Sequence, residues 1–239
     1  MGAKLQWGMT NQRIGIRLAG SLLLVLAGLA QALGLDSLKD QEVANGLKDA
    51  LSKASTVAVG QLGASNGFWG NDRVRIPLPD SLQKAEQLLR TFGMGQQADD
   101  LRQTLNHAAE AAVQEAKPIL LNAVKQMTVQ DAKGILTGGD TAATAYFRKT
   151  SSEALRSKFR PIVSKATKRV QLADKYNTYA GQAAKLGLIS EANANLDNYV
   201  TEKALDGLFL IISDEEKAIR QDPVGQASQL LKRVFGANW

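Results

Sequence analysis

Cysteine is absent from all 239 residues. Its absence excludes disulfides, thiolate nucleophiles, cysteine-ligated zinc, iron–sulfur clusters and lipidation at a lipobox. Histidine occurs once, at His107. Glu110 follows three positions later, but a di-iron helix bundle needs two Glu-x-x-His pairs and further glutamates, which one histidine cannot supply. No serine sits in a recognisable nucleophile elbow beside it, and no P-loop pattern occurs. Aromatic residues make up 5% and there are only five prolines. Alanine, leucine, lysine, glutamine and glutamate dominate instead, and these are good helix formers. No alternating run is long enough to build a sheet, nothing repeats at a fixed period, and no polar linker separates two domains.

Acidic residues are missing from the first 32 positions, which hold Lys4, Arg13 and Arg17. Residues Leu18 to Leu29 (LAGSLLLVLAGL) form an apolar run, shorter than the roughly 20 residues of a membrane span. Ala30-Gln31-Ala32 follows as an A-x-A processing site. A charged, an apolar and a small-residue region in this order predict a secretory signal over 1–32, cleaved after Ala32. The expected mature chain, 33–239, is then one periplasmic all-α domain with no transmembrane span. Its length suffices for a core without covalent staples. Without the first 32 residues the formal charge of +6 falls to +3, so nucleic acid is not an expected partner.

The helical pattern can be followed along the mature chain. Leu38, Val43, Leu47 and Leu51 predict a helix from Asp36 to about Gly63. GASNGFWGNDRVRIPLPD then forbids one, so a single irregular Gly/Pro-rich loop is expected, with Val74-Arg75-Ile76 extended. Asp80 is placed to cap the next helix. A long helix from Gln96 to Met127 should be kinked or divided at Pro118. Thr128 and Asp131 match a capping box. Thr150 with Glu153 suggests a helix from about Ser151 to Val170, followed by one over 172–186. Asn195 to Ile212 predicts a further helix, Ser213 with Glu216 a short separate one, and Asp222-Pro223 opens the last.

Catalytic, metal and cofactor patterns are incomplete, and no cofactor or metal is expected. Gly93-Met94-Gly95-Gln96-Gln97-Ala98 fits G-x-G-x-x-[GA] but follows a helix rather than a strand, which makes it a helix–helix turn. The turn at Gly138, Gly139 and Asp140 precedes a helix start, whose free N–H groups can hold an anion or be capped by Asp140 itself. Phe68 and Trp69 stand in a glycine-flanked loop beside Arg73 and Arg75. They are either an interface anchor or a plug on the helical core.

Charge is segregated by sign. Residues 146–175 carry nine basic residues against two acids, a net of +7, and residues 190–222 a net of −5. Leu155, Phe159, Ile162, Val163, Ala166 and Val170 share one helical stripe. Arg156, Lys158, Arg160, Lys165, Lys168 and Arg169 occupy the rest. Such a face suits an anionic lipid or an acidic envelope partner, or the domain's own acidic helices.

Four stretches together carry a resemblance: VRIPLPDSLQKAEQLLRTFG from Val74, AAEAAVQEAKPILLNAVKQMT from Ala108, DAKGILTGGDTAATAYFRKTSSEALRSKF from Asp131 and LDNYVTEKALDGLFLIISDEEKAIRQDPV from Leu196. They resemble a bacterial family known only as a domain of unknown function, number four-one-nine-seven, whose members similarly begin with an export signal. The resemblance implies one family-length domain and export, and it implies no activity and no catalytic residues. Three function classes stay open: a non-enzymatic binding module for an anionic or amphipathic ligand, a hydrolase or lyase working with carboxylates such as Glu110, Glu115, Asp131 and Asp140, and a chaperone-like helper with an exposed apolar groove.

Overall fold

The computed structural model describes residues 20–91, 95–169, 171–185 and 194–221. Within them the regular structure is α1 (Gly20–Leu62), α2 (Asp80–Thr91), α3 (Gly95–Val113), α4 (Ala116–Gln126), α5 (Val129–Leu136), α6 (Ala142–Thr167), α7 (Gln171–Lys185) and α8 (Leu196–Gln221). The fold is all-α, as composition and periodicity predict. The chain divides into two units, Met1–Glu42 and Val43–Trp239. Of the expected export signal, residues 1–19 lie outside the described residues, as does the expected last helix from Asp222, and 20–32 are helical. Among the described residues no helix is long and apolar enough to cross a membrane.

Several boundaries differ from the sequence expectation, each for a physical reason. Helix α1 already covers residues 20–35, ahead of the expected start at Asp36, and no proline interrupts them. The long helix divides at Gln114-Glu115, between α3 and α4, which leaves Pro118 in the first turn of α4, where no intrahelical N–H is needed. Thr150 does not start a helix. Its hydroxyl donates to the Tyr146 carbonyl inside α6, which begins nine residues earlier than expected, at Ala142. Ser213 and Glu216 likewise lie inside a continuous α8, not at the head of a short helix. The Thr128–Asp131 capping box is present and starts α5. Asp80 stands at the start of α2.

In the unit Val43–Trp239, α3, α6 and α8 form the centre. Cross-links between α6 and α8 run Thr144 to Glu216, Arg148 to Asp206, Arg156 to Glu202 and Thr167 to Asp197. One number rises as the other falls, so the two helices are antiparallel. Helix α8 is buried on most sides, through residues such as Val200, Leu205, Leu208 and Ile212, as its apolar run requires. Ala44, Leu47, Leu51, Ala58 and Leu62 bring one face of α1 into the same core.

Residues 63–79 form turns and extended backbone between α1 and α2. Asn66 takes a left-handed φ of 62°, a conformation asparagine tolerates better than most residues. The turn delivers Phe68, fully buried, against α8. Gly207 on α8 makes the room: a Cβ there would lie 2.7 Å from Phe68 Cε1 and 3.3 Å from Val74 Cβ. Alanine would gain about 1 kcal/mol of helix propensity in an open helix. Overpacking of a filled core costs about 1–3 kcal/mol and outweighs it. Gly207→Ala is therefore expected to lower the denaturant midpoint, by about 1 kcal/mol of net stability. A raised midpoint would show that Phe68 is not held against Gly207.

Candidate functional site

Helix α3 carries a stripe of large polar side chains, Arg102, Asn106 and Glu110, spaced by four on one face, and Gln114 just past its end continues the spacing. Each except Arg102 holds a piece of the irregular segment. Gln114 Nε2 donates to the Gly63 carbonyl at 2.8 Å. The buried Glu110 carboxylate accepts the backbone N–H groups of Asn66, Phe68 and Trp69 at 3.3, 3.0 and 3.0 Å. Its Oε2 also lies 2.8 Å from His107 Nδ1. Asn106, fully buried, accepts the Ile76 N–H at 2.8 Å and donates to the Ile76 carbonyl at 2.9 Å. The amide thus replaces the neighbouring strand that an extended residue would otherwise require. The segment runs antiparallel to α3, and its backbone groups are satisfied by side chains instead of a sheet.

The pinned segment forms one wall of an open cleft of about 400 Å³, lined by Arg75, Pro77, Leu78, Gln83, Glu86, Arg90 and Arg102. Three guanidinium groups and one carboxylate face this space. Glu86 binds Arg90 at 2.7 Å and also binds Arg102. Burial pushes the Glu86 carboxyl up, but hydrogen bonds from Arg90 and Arg102 and their charges prevail and hold it below its ordinary value. Asp99 receives Arg90 at 2.5 Å, which lowers its carboxyl too. Arg75 stands at the rim. Its Nε donates to the Trp69 carbonyl at 2.6 Å, and its guanidinium lies 5.3 Å from the Trp69 ring centroid. It pairs with Asp72, which is 86% exposed, so water screens that pair.

The lowered Glu86 value fixes a pH dependence. The folded carboxyl titrates below the ordinary 4.5, so its contribution is complete above that value and is lost as pH falls through the lowered one. Glu86→Gln is expected to flatten the decline of melting temperature below about pH 4.5, relative to the parent chain. Identical acid profiles would contradict the assignment.

The sequence-predicted residues divide. Phe68 is the plug of the two readings offered for it, not an exposed contact. Trp69 is half-buried, and Arg75 is exposed at the cleft. Arg73 points elsewhere, to Asp214 at 2.6 Å, and lines a second cleft with Lys203, Asp206 and Leu210. Gly138, Gly139 and Asp140 are exposed, but the helix start they precede is already filled. The buried Glu216 carboxylate accepts the N–H groups of Ala143 and Thr144 at 2.9 Å each and the Thr144 hydroxyl at 2.8 Å. Arg220 neutralises it at 3.0 Å. The anion that this helix terminus attracts is thus a side chain of α8. On α6, Arg156 is bound to Glu202 at 2.5 Å and Arg148 to Asp206 at 3.5 Å, which is the pairing with the acidic C-terminal helices. Lys158, Arg160, Lys165, Lys168 and Arg169 are exposed, with no ion pair among the described residues.

The candidate carboxylates Glu110, Glu115, Asp131 and Asp140 are each engaged or exposed. Glu110 and Glu216 are saturated by donors. Asp131 accepts from the Thr128 hydroxyl and backbone N–H, which lowers its carboxyl. Glu115 and Asp140 are exposed. Among the described residues no group of acids and His107 could hold a metal ion. Exposed large apolar side chains among them are Val57 and Leu210, too few for an apolar groove.

Sequence reasoning missed Glu86, Arg90, Arg102 and Asn106. The readable signal was the four-residue spacing of large polar groups on a helix otherwise rich in alanine and leucine.

The chain matches the family described as Protein of unknown function (DUF4197), over residues 37–236. No curated protein and no solved structure matches it.

Proposed function

The chain belongs to this family of unknown function, DUF4197, and from that premise we propose that it is an exported, non-enzymatic binding module for a small amphipathic anion. The periplasm is the proposed location. The charged start, the apolar run and Ala30-Gln31-Ala32 support export, and the family match begins beyond that processing site. The observation that carries the binding reading is the cleft of about 400 Å³ in which three guanidinium groups face one carboxylate. That volume lies within the range of small-ligand sites. Arg75 and Arg102 supply forked donors for a carboxylate or phosphate head. Pro77 and Leu78 supply an apolar floor for the rest of the ligand. The saturated carboxylates weigh against a hydrolase or lyase.

Calorimetric titration with decanoate and with inorganic phosphate tests the reading. Decanoate is expected to bind more tightly, because only it uses the apolar floor. Arg75→Ala is expected to weaken it about ten-fold, the loss of one charge-assisted hydrogen bond. Absence of heat with both probes, or equal affinity for the Arg75→Ala variant, would overturn the proposal.

A further inference from the structure

The outer face of α6 presents a second surface, independent of the cleft. Apart from Ser157 and Pro161, every exposed position from 157 to 169 is basic. No acid occurs from Ala154 to Ala173. The acids that α8 directs at α6 are already engaged: Glu202 by Arg156, Asp206 by Arg148, and Asp197 by the Thr167 hydroxyl. The segregated charge of the sequence is therefore neutralised on the α8 side and left over on the other. Lys158 and Lys165, two turns apart, share one face over about 10 Å of α6, and Lys168 and Arg169 extend the basic run into the turn that follows.

We propose that this face docks the protein on a bilayer surface rich in anionic phospholipid. A protein partner would need an anchor, since binding energy at such interfaces concentrates in buried aromatic and large apolar side chains. The exposed positions from 157 to 169 contain none; among the described residues the exposed large hydrophobics, Val57 and Leu210, belong to other elements. A headgroup layer requires only charge density. Long lysine stems can lie along the helix while their ammonium groups reach the phosphates. Each such charge near an anionic leaflet contributes about a five-fold gain in partitioning.

Co-sedimentation of the full chain with vesicles tests this. Two compositions are compared, phosphatidylcholine alone and phosphatidylcholine mixed with phosphatidylglycerol, at about 0.1 M and about 1 M salt, where the screening length falls from roughly 10 to 3 Å. Lys4, Arg13 and Arg17 precede the apolar run of residues 18–29, so the amino-terminal segment would itself favour anionic vesicles, and the readout is the share of that preference that substitutions on α6 remove. The parent chain is expected to prefer the anionic vesicles at low salt and to lose that preference at high salt. The triple variant Lys158→Gln, Lys165→Gln, Arg169→Gln is expected to lose about a hundred-fold of it. Equal partitioning of the parent into both compositions, or an undiminished preference in the triple variant, would overturn the proposal. Salt-sensitive capture on immobilised poly-glutamate without any vesicle preference would overturn it too, in favour of an acidic polypeptide partner. If the triple variant fails to fold, the single variants Lys158→Gln and Lys165→Gln, each expected to lose about five-fold of the preference, decide the matter.

Discussion

Glu110→Ala is expected to remove about 3–5 kcal/mol of stability and to release the 63–73 segment while the α6–α8 pair stays folded. Phe68 and Trp69 donate their backbone N–H groups to this carboxylate, and Asn66 adds a third. The Phe68 N–H is buried beneath the plug it belongs to, so water cannot replace the lost acceptor without opening the core. An orphaned buried donor costs about 1–3 kcal/mol, and two or three arise at once. Glu110→Gln keeps the volume and one acceptor oxygen but turns an NH2 group toward the remaining donors, so it should fall between the parent and alanine. Denaturant unfolding gives the magnitude, and amide exchange gives the location. Protection should drop at 66–75 and persist in α6. A loss below about 1 kcal/mol would contradict this role of Glu110.

The second large effect is expected at Glu216. Its alanine variant orphans the Ala143 and Thr144 N–H groups at the start of α6, and it leaves the half-buried guanidinium of Arg220 without its carboxylate. Removing one partner of a buried ion pair costs about 3–5 kcal/mol, more than the pair contributes when intact. The favourable meeting of a negative charge with a helix N-terminus is lost as well. The first turn of α6 should exchange faster, with the 66–75 segment unaffected, the mirror image of the Glu110 result. Arg220 also donates to the Ile135 carbonyl at 2.8 Å, so the end of α5 should loosen with it. Unchanged exchange at 142–147 would refute the capping role.

These two glutamates also mark the limit of what the sequence discloses. Thr128 with Asp131 could be read locally, because both partners of the capping box lie within one turn and depend on nothing else. The division of the long helix above Pro118 and the periodic apolar faces are equally local. Ser213 with Glu216 shows the same spacing, yet the carboxylate serves N–H groups 72 and 73 residues away. Thr150 with Glu153 mimics a helix start and lies mid-helix, its hydroxyl turned back to Tyr146. A pattern of three residues cannot distinguish these cases, because the deciding partner is tertiary. The same holds for Phe68. Its glycine neighbours suggest exposure, and only Gly207, on the far side of the chain, makes the hole that takes it in. Of the site, Arg75 was legible as a cation beside an aromatic. Arg90, Arg102 and Glu86 were not, because their meeting depends on how α2 turns back against α3.

The dependence of the 63–79 segment on α3 has a kinetic consequence. Its hydrogen bonds to Asn106 and Glu110 span 30 to 44 residues, so they cannot form before α3 exists and has docked. Loop closure of that length precedes any gain from it, so these bonds are expected to form after the rate-limiting barrier, and slower folding of Glu110→Ala would contradict that order. Weakening them then hastens escape from the native state and leaves the speed of reaching it almost unchanged. On that order the loop that walls the cleft acts as a latch, set after α3 has docked and sprung before it leaves.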